Sequence, residues 1–125
     1  MTVDKVVDAS ALAAIAFNEP GAREALSLLH GANLVAPELL RFEVAHICVK
    51  KIRQRPAERE LILAQHASTW DVDIALLSVD QTEIVHIADK LDLPAYDASY
   101  LWLAHALGAE LVTLDKKLRK AAEKI

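Results

Sequence analysis

Four acidic residues stand out by type and by setting. Asp8, in "VVDASALAAIAF", closes a pair of valines and precedes a stretch that is apolar apart from Ser10. Glu43, in "LLRFEVAHI", is flanked by Phe42, Val44 and Ala45. Asp97, in "AYDASYLWLAHALG", follows Pro94, and Asp115 comes two residues after Thr113 in "ELVTLD". A carboxylate between a strand and a helix has two uses. It can cap the helix, which is worth about 1 kcal/mol. It can also serve as a ligand at the carboxyl edge of a parallel sheet, where such folds bind what they act on. Asp8, Asp97 and Asp115 admit both uses. Glu43, expected well inside a helix, cannot be a cap; its alternative is a solvated helix face.

The elements that would carry these acids follow from local pattern. Strands are expected at 3–7, 34–37, 72–79 and 110–114, all short and apolar. Helices are expected at 10–17, 22–29, 38–53, 56–70, 82–91, 98–107 and 116–125, with "NEPGA" and "DLP" as breaks and Gly108 as a C-terminal stop. Leu40, Val44, Ile47 and the stem of Lys51 form the apolar stripe of the third helix. Short apolar strands alternating with helices predict a parallel sheet covered on both faces. Asp8 and Asp115 then fall at its carboxyl edge. Thr113 and Asp115, two apart on an expected strand, leave the same face.

Composition bounds the rest. With 125 residues, one domain (1–125) is expected, and a 54% hydrophobic but 5% aromatic chain must have an aliphatic core. The apolar run at 9–17 is too short to span a bilayer. Asp4, Lys5 and Asp8 spoil the N-terminus as a signal peptide, so a cytoplasmic location is expected. Cys48 is the single cysteine, which rules out an intrachain disulfide or a cysteine-based zinc cluster. A net charge of −4 argues against a generic nucleic-acid binder. Against that stands a local basic cluster, Lys50, Lys51, Arg53, Arg55 and Arg59, which either tracks a phosphate backbone or complements a helix C-terminus.

Together, "VVDASALAAIAFNEPG", "APELLRFEVAHI" and "LPAYDASYLWLAHALGAELVTLDKKL" make the chain resemble the PIN-domain ribonucleases, and among them the VapC-type toxins of toxin–antitoxin pairs. The resemblance runs from Val3 to Leu118 and rests on the order and setting of the four acids. Residues 53–71 contribute nothing to it. It implies a three-layer α/β/α sandwich with a mainly parallel central sheet, in which Asp8, Glu43, Asp97 and Asp115 converge. Such a cluster repels itself unless cations neutralise it. An oxygen-only set suits Mg²⁺ or Mn²⁺, which can activate a water for attack on phosphorus. Asp8 and Asp97 are then the expected direct ligands, with Glu43 and Asp115 completing the set directly or through water. Ser10 and Thr113 would orient them, Ser10 being equally explicable as a helix-start hydrogen bonder.

The implied activity is metal-dependent endoribonuclease cleavage of RNA. The implied partners are a cognate VapB-like antitoxin and a second copy of the chain, with an apolar surface around Phe17 and Leu28 open in the lone subunit. A housekeeping RNA-processing nuclease or an inactive scaffold on the same fold are the alternatives. A phospho-acceptor receiver domain is disfavoured, because Val7 precedes Asp8 and Ser78 and Val79 precede Asp80 where acids would be needed. Three glycines and no G-x-G-x-x-G disfavour a dinucleotide site. The histidines, Trp70, Trp102 and Cys48 read as packing or surface residues.

Overall fold

The computed structural model describes residues 2–125. Four strands, β1 (Asp4–Val7), β2 (Asn33–Pro37), β3 (Ile74–Leu77) and β4 (Glu110–Val112), pair entirely in parallel in the order β3-β2-β1-β4. Val6 sits opposite Val35 on one side and Leu111 on the other, so β1 is an interior strand. Parallel neighbours need crossovers, and every connection here contains helices. These are α1 (Ala9–Ala16) and α2 (Ala22–Leu29), then α3 (Leu40–Gln54) and α4 (Arg59–Ser68), then α5 (Gln81–Leu91) and α6 (Ala95–Leu107). The chain ends in α7 (Lys116–Ala122).

The carboxyl halves of β1, β2 and β4 are apolar because helices cover them. Val6, Val7 and Ala36 are fully buried, and Val35 and Val112 nearly so. Leu12, Ala25 and Leu29 from α1 and α2, Leu40 and Val44 from α3, and Tyr100, Leu103 and Ala104 from α6 complete one aliphatic core with them. Two satellite clusters extend it. Ala13, Phe17, Cys48 and Ile62 join α1, α3 and α4; Leu93, Leu101, Leu118 and Ala121 seat α7 against α6. Cys48 is packing, and burial pushes its thiol up.

Several boundaries shift from the sequence expectation, with consequences for the site. The third helix starts at Leu40 rather than at residue 38, because Glu38 still belongs to the sheet edge. Its N–H donates to the Leu77 carbonyl, and Ser78 Oγ donates to its carboxylate. Glu43 is therefore in the first turn of α3, not deep within it. Helix α6 starts at Ala95, not at 98, with Pro94 as the residue before its first turn. Strand β4 stops at Val112, so Thr113 lies just beyond it. The expected 56–70 helix is α4 flanked by short 3₁₀ turns at Pro56–Glu58 and Thr69–Asp71.

Two glycines are required by geometry. Gly108 adopts a left-handed conformation, φ 60°, and closes α6, with the Ala109 N–H reaching back to the Ala104 carbonyl. Gly21, at φ 92°, backs onto Leu114: a Cβ there would come within 2.8 Å of a Leu114 methyl. The "NEPGA" break thus abuts the segment that carries Thr113 and Asp115.

Candidate active site

The parallel sheet delivers the carboxyl ends of β1, β2 and β4 to one edge, and the four acids are distributed along it. Asp8 leaves β1 and caps α1. Its Oδ1 accepts from the Ala11 N–H at 3.0 Å, and its own N–H extends the ladder to the Val112 carbonyl. Capping explains only that one bond. Asp80, a surface cap on α5, accepts from the Glu83 N–H alone. Asp8 is 4% exposed and also receives Ser10 Oγ–H on Oδ1, at 2.8 Å, and Thr113 Oγ1–H on Oδ2. Both hydroxyls are themselves anchored. Ser10 Oγ accepts from the Leu114 N–H and Thr113 Oγ1 from the Asp115 N–H, each at 3.0 Å. Arg119 holds the Thr113 carbonyl at 2.7 Å. Asp8 is locked in place by the two segments that flank it.

The other acids are held more loosely. Glu43 accepts a hydrogen bond from the hydroxyl of Tyr100, at 2.5 Å, through Oε1. Tyr100 is 1% exposed and lies one turn after Asp97 on α6. Asp115 is exposed and caps α7 through Oδ1, which accepts from both Lys117 and Leu118, so Oδ2 has no hydrogen-bond partner among the described residues. Asp97 lies at the third position of α6 and makes no cap, so the capping explanation fails for it.

The electrostatics tie the four together. Burial pushes the Asp8 carboxyl above its ordinary value; its hydrogen bonds to Thr113, Ala11 and Ser10 oppose this, and the Asp115 charge adds to it. Burial also raises Glu43, against the Tyr100 bond and with the charges of Asp97 and Asp8. Asp97 is raised by burial and then by Asp115 and Asp8, with Lys117 pulling it back. Tyr100 is held protonated by burial and by the Glu43 carboxylate it bonds. Like charges sharing one desolvated region hold protons or take up cations. Among the described residues no three acidic, histidine or cysteine side chains form a closed ligand set. The four acids are coupled through space by their charges.

The resemblance implies that Asp8, Glu43, Asp97 and Asp115 converge, with Ser10 and Thr113 beside them; in the structure Ser10 and Thr113 bond Asp8, and the four acids lie near enough to feel one another's charge. Sequence reasoning missed Tyr100, which reads as one more core aromatic; its spacing of three from Asp97 was the available signal. Lys51 was counted in the basic cluster, yet it is 9% exposed and bonded to Glu19 at 2.5 Å, so it is withdrawn from any outer surface. Phe17, at 6% exposure, is packed beneath Lys51, and Leu28 packs against the main core. The apolar surface expected around them is closed at Phe17 and partly open on α2, where Leu28 is half-buried and Leu26 is 58% exposed.

Comparison with known proteins gives the same frame. The PIN domain family model matches residues 5–124. The chain is 33% identical over 118 residues to Ribonuclease VapC9 of Mycobacterium tuberculosis, covering 90% of this chain and 87% of that protein. It is 30% identical to Ribonuclease VapC3 of Pyrobaculum aerophilum, covering 90% of each. The crystal structure of PAE2754 from Pyrobaculum aerophilum superposes with a TM-score of 0.77 at 25% identity, over 98% of this chain and 87% of that one. By fold, by the order of its acids and by these relatives, the chain belongs to the PIN-domain family and to the VapC proteins within it.

Proposed function

We propose that the chain is an endoribonuclease that hydrolyses RNA phosphodiesters at the Asp8–Glu43–Asp97–Asp115 pocket, with a hard divalent cation, and that it acts as the toxin of a VapBC-type pair. The observation that carries the nuclease reading is the treatment of Asp8. A helix cap needs one N–H donor, whereas this buried carboxylate is fixed by two additional hydroxyls from segments more than a hundred residues apart. A carboxylate immobilised in this way is preorganised to hold something.

The donor set suits Mg²⁺ or Mn²⁺: carboxylate oxygens alone and no sulfur, the ligands such hard ions prefer. Bound there, the ion supplies neutralising charge and an acidified water for in-line attack on phosphorus. The chain's own residues set the geometry. Ser10 and Thr113 hold Asp8, Tyr100 holds Glu43 by Oε1, and Asp115 is fixed by its own helix with Oδ2 free. Asp97 is the least restrained of the four, and so the best able to adjust as cation and substrate enter.

The test is cleavage of total RNA by the purified protein, with mapping of the cut ends. Attack by water leaves 5′-phosphate and 3′-hydroxyl ends, loss of activity in EDTA, and recovery with Mg²⁺ or Mn²⁺. Cyclic-phosphate ends or EDTA-resistant cleavage would replace this mechanism with general acid–base chemistry. The toxin role rests on the VapC relatives, and a gene for a small antitoxin beside this one separates it from a housekeeping nuclease.

A further inference from the structure

Beside the acid pocket lies a cavity of about 450 Å³ lined by Ala9, Leu39, Phe42, Glu43, His46, Ile47 and Tyr96. It shares Glu43 with the pocket, and Ala9 is the neighbour of Asp8. Its two aromatic residues are unusual for this chain. Phe42 is 78% exposed and Tyr96 54%, although the protein has only two phenylalanines and two tyrosines, and the other of each is buried. The surface of α3 continues away from the cavity as Phe42, His46, Lys50 and Arg53, all exposed and spaced four, four and three residues apart. They form a single stripe roughly 16 Å long, apolar at the acid pocket and cationic at its far end.

We propose that Phe42 and Tyr96 bracket an unpaired base of single-stranded RNA next to the scissile phosphate, and that His46, Lys50 and Arg53 guide the adjoining backbone along α3. This rests on the nuclease reading and adds to it a binding track and the residues that position the substrate. The requirement comes from the substrate. With the phosphate at the acids, the neighbouring nucleotide must lie against whatever borders them. Aromatic faces stack any base without demanding a particular sequence. The gradient of the stripe argues for a polyanion rather than for a second copy of the chain. A two-fold interface would bring the same cations toward one another unless the protein supplied acids opposite them.

The test uses short single-stranded oligoribonucleotides carrying 2-aminopurine at successive positions, with cleavage measured in parallel on unlabelled RNA. Wild-type protein should quench the fluorophore at one position flanking the cut, as a stacked base is quenched. Phe42→Ala and Tyr96→Ala should each remove the quenching and raise KM roughly 5- to 100-fold, the scale of one base–aromatic stack, with kcat nearly unchanged. Tyr96→Phe should restore both. Lys50→Gln with Arg53→Gln should flatten the salt dependence of binding by about two phosphate contacts. Wild-type quenching, KM and salt dependence retained in all these variants would overturn the proposal while leaving the nuclease intact. So would a Phe42→Ala protein altered only in self-association or in binding an antitoxin, which would make the surface a protein interface. Wild-type protein that cleaves no RNA with Mg²⁺ or Mn²⁺ would instead remove the nuclease reading itself.

Discussion

Thr113 Oγ1 donates to Asp8 Oδ2 across 105 residues of sequence, joining the end of β4 to the end of β1. The same oxygen accepts from the Asp115 N–H, so one hydroxyl sets the positions of two acids. Ser10 repeats the device from the other side, donating to Asp8 Oδ1 and accepting from Leu114. Each hydroxyl has a single proton, and both are spent on Asp8. The 3.3 Å contact between Ser10 and Thr113 then has none to share while Asp8 is ionised.

Thr113→Val keeps the shape of this side chain and deletes its proton and lone pairs. Asp8 Oδ2 then loses its donor and the Asp115 N–H its acceptor. Activity and Mg²⁺ affinity should fall about 10- to 100-fold, as for other groups that orient metal ligands. Thr113→Ser should retain most of both. Calorimetric Mg²⁺ titration together with a cleavage assay checks this; a valine variant equal to wild type would reduce Thr113 to packing.

Asp97→Asn should abolish cleavage and stabilise the metal-free protein. The side chain caps nothing, and its charge faces those of Asp115 and Asp8. Removing like charge relieves repulsion, with an expected rise in Tm of roughly 3 °C for a domain of this size. Added Mg²⁺ should then stabilise wild type more than the variant, because only wild type offers the complete acidic pocket. Full activity in the variant would sink the assignment.

These outcomes bear on how much the sequence disclosed. Asp8 and Asp115 are legible because a short apolar run, an acid and a helix in that order locate the carboxyl edge of a parallel sheet. The parallel fold itself follows from the same alternation. What escapes is long-range pairing. The stem of Lys51 reads as part of the apolar stripe of α3, but nothing local shows that its ammonium will pair with Glu19, from the break after α1. Tyr100 gives no local sign that its hydroxyl will reach Glu43, 57 residues away. Phe17 belongs to an apolar run that looks larger than one helix face needs, and α3 and α4 turn out to cover it. Phe42 is the converse case: a large aromatic residue set between Arg41 and Glu43, it is turned outward and 78% exposed.

The pH dependence of the metal-free protein should run opposite to that of most acid-labile domains. Asp8, Glu43 and Asp97 all have carboxyl groups raised above their ordinary values, chiefly by burial. In that window the folded state binds more protons than the unfolded chain, so stability falls as pH rises. The contribution is fully present below the ordinary carboxylate range and is lost as pH climbs through the raised values. Melting temperatures without metal should therefore show wild type losing ground to Asp97→Asn as pH increases from about 4 toward neutrality. Saturating Mg²⁺ should erase much of the difference. A gap between the two proteins that does not change with pH would contradict it.

Tyr100→Phe separates positioning from chemistry. The hydroxyl is buried and its one acceptor is Glu43, so its loss should cost about 1–2 kcal/mol of stability, read from urea unfolding. Glu43, without its donor, should hold its proton to higher pH, moving the acid limb of the cleavage profile upward while activity at alkaline pH largely recovers. A uniform loss at every pH would mean that the tyrosine acts only through the fold.

The last prediction concerns the partner. A group of neighbouring carboxylates, three of them raised chiefly by burial, is without metal a receptor for an arginine or lysine side chain. If the chain is the toxin of a pair, co-expression with the product of the adjacent small gene should give a complex that purifies through a tag on either protein. Of the surface expected to receive it, Phe17 is covered by the protein's own packing while Leu28 is half-buried beside the exposed Leu26, so Leu26→Ala and Leu28→Ala should weaken the complex if that face of α2 forms part of the contact. Asp97→Asn should weaken it measurably, and raised salt should weaken wild type more than the variant, because charge carries part of the contact. Failure to co-purify, with the lone protein monodisperse and harmless to its host, would leave a housekeeping nuclease on the same fold.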